Sequence, residues 1–140
     1  MNLDPGTALP PFTMSDITLE RIREFMELMH DVNPVHDDEE LAARLGLRGP
    51  VNQGPANLAY VINMYLAWAG DPRALKRIDF RFLDTVTTGD VVTASGTVIS
   101  NEEGTDGRKA VSEFGLDRQD GARALAGAVR LQLPAEESKP

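Results

Sequence analysis

The chain has 140 residues, 41% hydrophobic and 26% charged, a net charge of −8 and no cysteine. That size and balance suit one globular domain with its own core, and the negative charge excludes a general binder of nucleic acid or anionic membranes. Without cysteine there is no disulfide framework, thiol nucleophile or thiolate metal site.

A single domain is expected over 1–140, with residues 1–11 lying extended over the surface and 135–140 as a polar tail. The first residues lack the basic and apolar runs of a signal peptide. The longest apolar stretch, Leu58 to Ala69, is interrupted by Asn63 and too short to span a bilayer. A cytoplasmic protein without membrane attachment is the expectation.

Ser15 or Thr18 supplies a cap for a first helix, in which Ile17, Ile22, Phe25, Met26 and Met29 recur at helical spacing. The pattern stops at a loop from His30 to His36, and Asp37 to Leu45 reads as a short helix ended by Gly46. Gly49 to Pro55 is a rigid connector. A helix from Pro55 to Ala69 follows, apolar on most sides and so enclosed by the fold, with Gly70 and Asp71-Pro72 ending it.

The second half is strand-like: Leu75 to Leu83, Val91 to Ser100, Arg108 to Asp117 and Ala122 to Leu133. Asn101 to Gly107 and Gln119-Asp120-Gly121 carry the turn signals between them. Helices first, one buried helix, then an antiparallel meander give an α+β domain with a sheet wrapped around a long central helix.

Chemistry concentrates in Asp31-Val32-Asn33-Pro34-Val35-His36, where an Asn-Pro turn separates a carboxylate from one of only two histidines. Asp31 and His36 make an acid/base pair able to activate water and deliver a proton, and Asn33 can hold the loop in shape. The plain alternative is an Asp that caps a turn beside a surface His. Gly54, where the buried helix begins, offers a free backbone N–H with partial positive charge, suited to a developing oxyanion. It also reads as a simple helix-start glycine.

Asp31-Val32-Asn33-Pro34-Val35-His36, followed by Gly49 to Gly54 and an apolar helix, resembles the MaoC-like, or (R)-specific enoyl-CoA hydratase, family of hot-dog proteins. The resemblance continues through Gly70-Asp71-Pro72 and Ile78 to Phe82, and on to Thr88-Gly89-Asp90-Val91-Val92. It implies a single hot-dog domain and syn addition of water to a trans-2-enoyl thioester, or the reverse dehydration. Asp31 would hold and activate the water, and His36 would act with it in protonating the α-carbon. The Gly54 N–H would stabilise the enolate-like oxygen, and Asn33 would orient the loop.

The resemblance implies no redox cofactor and no metal, with CoA or phosphopantetheine entering as part of the substrate. It also implies a homodimer or higher oligomer, or a heteromer with another MaoC-like chain. A hot-dog thioesterase and a non-catalytic partner subunit are the alternatives it leaves open.

Three positions depart from the family pattern: Met29-His30 in place of Ser-Gly before the Asp, Gln53 in place of His before the glycine, and Ala59 where a small hydroxyl residue is common. Gln53 is taken as a substrate-binding position. Arg77 and Arg81, within a cluster that includes Arg73 and Lys76, are expected to meet the carrier's phosphates, or else to protect a strand edge. His30, Asp31, His36 and the acids at 37–40 offer metal-ligand types, but the acidic run is read as a helix start and no metal is expected.

Overall fold

In the computed structural model, which describes residues 1–133, the central element is α3 (Gly54–Ala69). Pro55 lies in its first turn, where no N–H is needed, and Gly70 closes it at φ 71 with its N–H donating to Leu66 O. One side of α3 is sealed against the sheet: Val61 and Tyr65 are 0% exposed and Met64 1%. The Tyr65 hydroxyl donates to Ser112 Oγ at 2.8 Å, which donates onward to Thr97 O at 3.0 Å. Burial pushes the Tyr65 phenol up to about 12. The helix comes so close at Gly96 that a Cβ there would lie 3.1 Å from Met64 Cε and 3.3 Å from Tyr65 Oη.

The sheet has five antiparallel strands in the order β1-β3-β4-β5-β2. They are β1 (Phe12–Met14), β2 (Leu75–Phe82), β3 (Val92–Gly104), β4 (Gly107–Arg118) and β5 (Arg123–Leu133). Alternate residues of β3 to β5 face α3 and fill the core, while β1 and β2 are the edges. Two further helices, α1 (Leu19–Met29) and α2 (Glu39–Arg44), precede α3. This is the hot-dog arrangement expected from the sequence.

Three details differ from that expectation. The first residues do more than lie over the surface: most are exposed, but Leu3 and Leu9 are 0% and 4% exposed, and Gly6 and Leu9 donate to Val98 O and Gly96 O along β3. Two leucines with an edge strand to cover have more to gain from burial than the Pro and Gly residues suggest. Residues 12–14, unassigned in the sequence, complete that edge as β1. The β3–β4 hairpin runs on past Ser100 to the pair Gly104↔Gly107, leaving a turn of Thr105 and Asp106. The polar tail at 135–140 lies outside the described residues. No helix among the described residues is long and apolar enough to cross a membrane.

Candidate active site

Helix α1 starts at Thr18, whose hydroxyl accepts from Arg21 N, and its Ile22 is buried. It ends where His30 takes a left-handed conformation, φ 51, the only non-glycine residue with positive φ among those described. The reversal lets His30 N donate to Glu27 O and Asp31 N donate to Met26 O, folding the chain back under its own helix. Position 30 is therefore a backbone position that suits glycine, and the imidazole of His30 stays exposed.

From that turn Asp31 Oδ1 accepts from Asn33 N at 3.0 Å, and Asn33 Oδ1 accepts from Val35 N at 3.2 Å, capping the short 3-10 turn Pro34–His36. The turn swings His36 back so that its Nε2 lies 3.2 Å from Asp31 Oδ2. The other ring nitrogen, Nδ1, donates to Val51 O at 2.7 Å. A carbonyl can only accept, so Nδ1 carries hydrogen and Nε2 is the nitrogen turned to the carboxylate. Nε2 and Oδ2 thus stand side by side, an imidazole and a carboxylate placed to exchange protons with a substrate. The His36 side chain is 12% exposed and that of Asp31 34%; Asp31 opens onto a cleft of about 490 Å³ also lined by Arg23, Met26, His30 and Val32.

The same Val51 leads within three residues to Gly54 and the start of α3. The other helical N-termini among the described residues are closed by side chains: Thr18, Asn33, Asp38 and Asp71 each accept from the first turn. The N-cap of α3, Gln53, makes no such bond, so the N–H groups there remain available. Gln53 is instead 2% exposed, its Nε2 donating to Ile22 O at 3.1 Å while Oε1 has no partner. It ties α1 to α3 and offers no exposed surface to a substrate. A Cβ on Gly54 would lie 2.7 Å from Phe82 Cζ, so any other residue here would have to displace that ring.

An ion pair between a half-exposed arginine and a buried carboxylate clamps the connector. Arg48 forks onto Asp90, with Nη1–Oδ1 and Nη2–Oδ2 both at 2.8 Å. Asp90, 2% exposed, also accepts from Gln119 Nε2 and from Thr87 N. Burial alone would raise its carboxyl pKa, but the hydrogen bonds from Arg48, Gln119 and Thr87 outweigh it and hold the group well below the usual carboxylate range. Thr87 bridges to Val51, Asn52 N donates to Val86 O, and Thr88 N donates to Pro50 O. The ion pair thus fixes the backbone that carries the His36 anchor and leads into Gly54.

Asp31, Asn33 and His36 come together as the sequence suggests, and the connector joins them to Gly54. Arg77 and Arg81 do not join them. Phe82 pairs with Leu125 and Phe80 with Gly127, which places both rings on the α3 side of β2; Arg77 and Arg81 alternate with them onto the opposite face. Arg77 is moreover held by Asp79, Nε to Oδ2 at 2.7 Å. The acids at 37–40 serve helix starts, Asp38 accepting from Leu41 N. Sequence reasoning missed Val51, which acts through its carbonyl and so has no side-chain signal. It also missed the Arg48–Asp90 pair, for which the Thr-Gly-Asp turn was the available clue.

The sequence matches the family model described as MaoC like domain over residues 5–116. A curated relative, the peroxisomal enoyl-CoA hydratase 2 of Arabidopsis thaliana, is 37% identical over 67 residues, 46% of this chain and 22% of that protein, so only a part of the longer relative is matched. The (R)-hydratase from A. caviae involved in PHA biosynthesis superposes with a TM-score of 0.82 at 22% identity, over 94% of this chain and 98% of that one. The ChsH1–ChsH2 complex from Mycobacterium tuberculosis gives 0.79 at 21% identity, over 93% and 98%. At such identities these likenesses establish the hot-dog fold.

Proposed function

The chain belongs to the MaoC-like domain family, whose model spans residues 5–116, and we propose that it is a hydro-lyase adding water to a trans-2-enoyl thioester or removing it from an (R)-3-hydroxyacyl thioester. The observation that carries this reading is the Asp31–His36 contact at 3.2 Å with the far ring nitrogen pinned by Val51 O. The likeness to a curated enoyl-CoA hydratase supports the substrate class.

In the hydration direction Asp31 Oδ2 takes a proton from water as its oxygen bonds to C3. The π electrons move toward the thioester oxygen, held by the Gly54 N–H, and return as the proton on His36 Nε2 passes to C2 from the same side. The proton gained by Asp31 crosses to Nε2 and resets the pair. Asn33 keeps the two groups at this spacing through its hydrogen bonds on either side. Addition of water leaves the net oxidation state of the substrate unchanged, so the reading assigns no redox cofactor; it assigns no metal either, and CoA or phosphopantetheine enters with the substrate.

Among the described residues, one edge of β2 has no strand beside it. The reading places a second chain there, either another copy or a different MaoC-like chain, extending the sheet. Light scattering on purified protein reports this as a mass of two chains.

Activity is tested with crotonyl-CoA, followed by loss of the enoyl absorbance. Asp31→Asn and His36→Ala should each lower the rate by roughly 10²–10⁴-fold with the fold retained. Wild-type rates in both variants overturn the assignment. Release of free CoA thiol with the enoyl absorbance intact replaces it with a thioesterase.

A further inference from the structure

We propose that Phe82 is a specificity-determining residue of this site, an aromatic wall whose ring edge meets an acyl thioester held by the Gly54 N–H. The inference rests on the hydratase reading above and names the acyl geometry that the site prefers.

The ring meets the helix start end-on. A Cβ built on Gly54 would lie 2.7 Å from Phe82 Cζ and 3.1 and 3.2 Å from its two Cε atoms, so the ring occupies the space where a side chain would begin. The peptide nitrogen is one bond from that Cα. An oxygen accepting from it at about 2.9 Å brings its attached carbon and sulfur to the end of the helix where the ring stands.

Phe82 is not packed as a core aromatic. Phe114, on the same side of the sheet and edge-on to Tyr65, is 4% exposed, whereas Phe82 is 52% exposed. Phe80, 43% exposed, stands edge-to-face with it at 5.3 Å and fixes its orientation. Strand β2 is an edge, and no strand among the described residues lies beyond it to cover the rest of the ring. That surface is left open to a substrate or to the second chain placed at this edge, two cases that the mass measurement below separates. A half-open, oriented ring against an uncapped helix start is placed for a ligand.

A trans-2-enoyl thioester is conjugated and flat from C3 through C1 to sulfur, and a flat π system is the partner an aromatic ring holds best. A saturated acyl group turns tetrahedral carbons to the same wall, and so does the 3-hydroxyacyl group. The ring therefore favours the enoyl form over the saturated form.

The test compares wild type, Phe82→Leu and Phe82→Tyr for the KM of crotonyl-CoA and for competitive inhibition by butyryl-CoA, its saturated analogue, with mass checked by light scattering. Phe82→Leu should raise KM about tenfold with a smaller fall in kcat, leave butyryl-CoA inhibition within about twofold, and keep the wild-type mass. Phe82→Tyr should retain the wild-type preference. An unchanged KM, an equal loss of both ligands, or loss of mass together with activity overturns the proposal. A wild-type protein that hydrates no enoyl thioester instead removes the hydratase reading beneath it.

A second arm reads the contact itself. Gly54→Ala should cut kcat/KM by about 100-fold, and adding Phe82→Leu should recover at least about tenfold by clearing the clash. Absence of recovery overturns the contact on which the wall depends.

Discussion

Along β3 to β5 the side chains turned to α3 are sealed: Val92, Ala94, Val98, Leu116, Leu125 and Val129 are all 0% exposed. Between α1 and α3, across residues 30–53, the buried positions are Ala42, Pro50, Asn52 and Gln53, and two of those are amides. The first region is held by burial, which is non-directional and scales with area. The second is held by aimed hydrogen bonds: Asn33 to the loop, His36 to Val51, Gln53 to Ile22, Arg48 to Asp90. A site that must hold two groups at a fixed spacing needs direction more than area, and the molecule supplies each where it is required.

The sharpest way to break the comparison is to separate activity from stability. His36→Ala removes a side chain with one backbone tether and should cost roughly 3–5 kcal/mol in the chemical barrier, while the thermal midpoint stays within a few degrees. Met64→Ala does the reverse: it leaves a cavity under the sheet and should cost about 2–5 kcal/mol of folding stability, with kcat of the folded protein nearly unchanged. Denaturant titrations beside crotonyl-CoA kinetics read both. If the two variants show the same pattern, the division into regions is wrong.

Asp90 joins the two regions, so Asp90→Asn should affect both. Breaking a buried pair costs about 3–5 kcal/mol when the partner is enclosed; the Arg48 side chain is 43% exposed, which brings the expected loss nearer 2 kcal/mol. The Val51 anchor should loosen, and kcat should fall with KM little altered. The sign with pH is fixed by the depressed carboxyl. Its stabilisation is complete above the ordinary value of 3.8 and is lost as pH falls below that toward the folded value. Wild type should therefore lose stability steeply with acid below about pH 4, and Asp90→Asn should lose less over the same range.

His30 gives a smaller, opposite effect. A non-glycine residue in the left-handed region carries strain of roughly 1–2 kcal/mol, and glycine gives part of that back through its freer unfolded state. His30→Gly should therefore stabilise by about 0.5–1 kcal/mol. Because Asp31 hangs from the backbone of this turn and the His30 imidazole is exposed, catalysis should hardly change. A marked fall in kcat would show that the imidazole itself takes part.

Much of this was readable before the structure. Alternation marked the four main strands, the Gly70 stop was correctly placed, and Asp31, Asn33 and His36 do meet around an Asn-Pro turn. What was not readable depends on partners far away in sequence. Gln53 appears polar and available in isolation, yet Ile22 O lies across a helix packing that no local pattern announces. The Gly54 helix start looks like any other until Phe82, 28 residues on, is seen to occupy its missing Cβ. Leu3 and Leu9 sit among Pro and Gly, so local composition hid the burial that the β3 edge gives them.

The arginines of β2 show how one residue changes such a reading. Arg77 and Arg81 belong to the basic cluster after α3, and a carrier's phosphates looked like their partner. A register shift between Leu75 and Arg77 sets the phase of the strand, and from there Ile78, Phe80 and Phe82 take the α3 side while the arginines take the other. Arg77 already has Asp79 as a counter-ion, in a pair with both side chains more than half exposed. Such pairs contribute little, about 0–1 kcal/mol. The double variant Arg77→Glu/Arg81→Glu should consequently leave kcat/KM for crotonyl-CoA within about twofold and stability within about 1 kcal/mol. A tenfold rise in KM, removed by raising the salt concentration, would instead mean that the carrier reaches around the β2 edge to the far face of the sheet. The site would then extend past the edge that Phe82 marks.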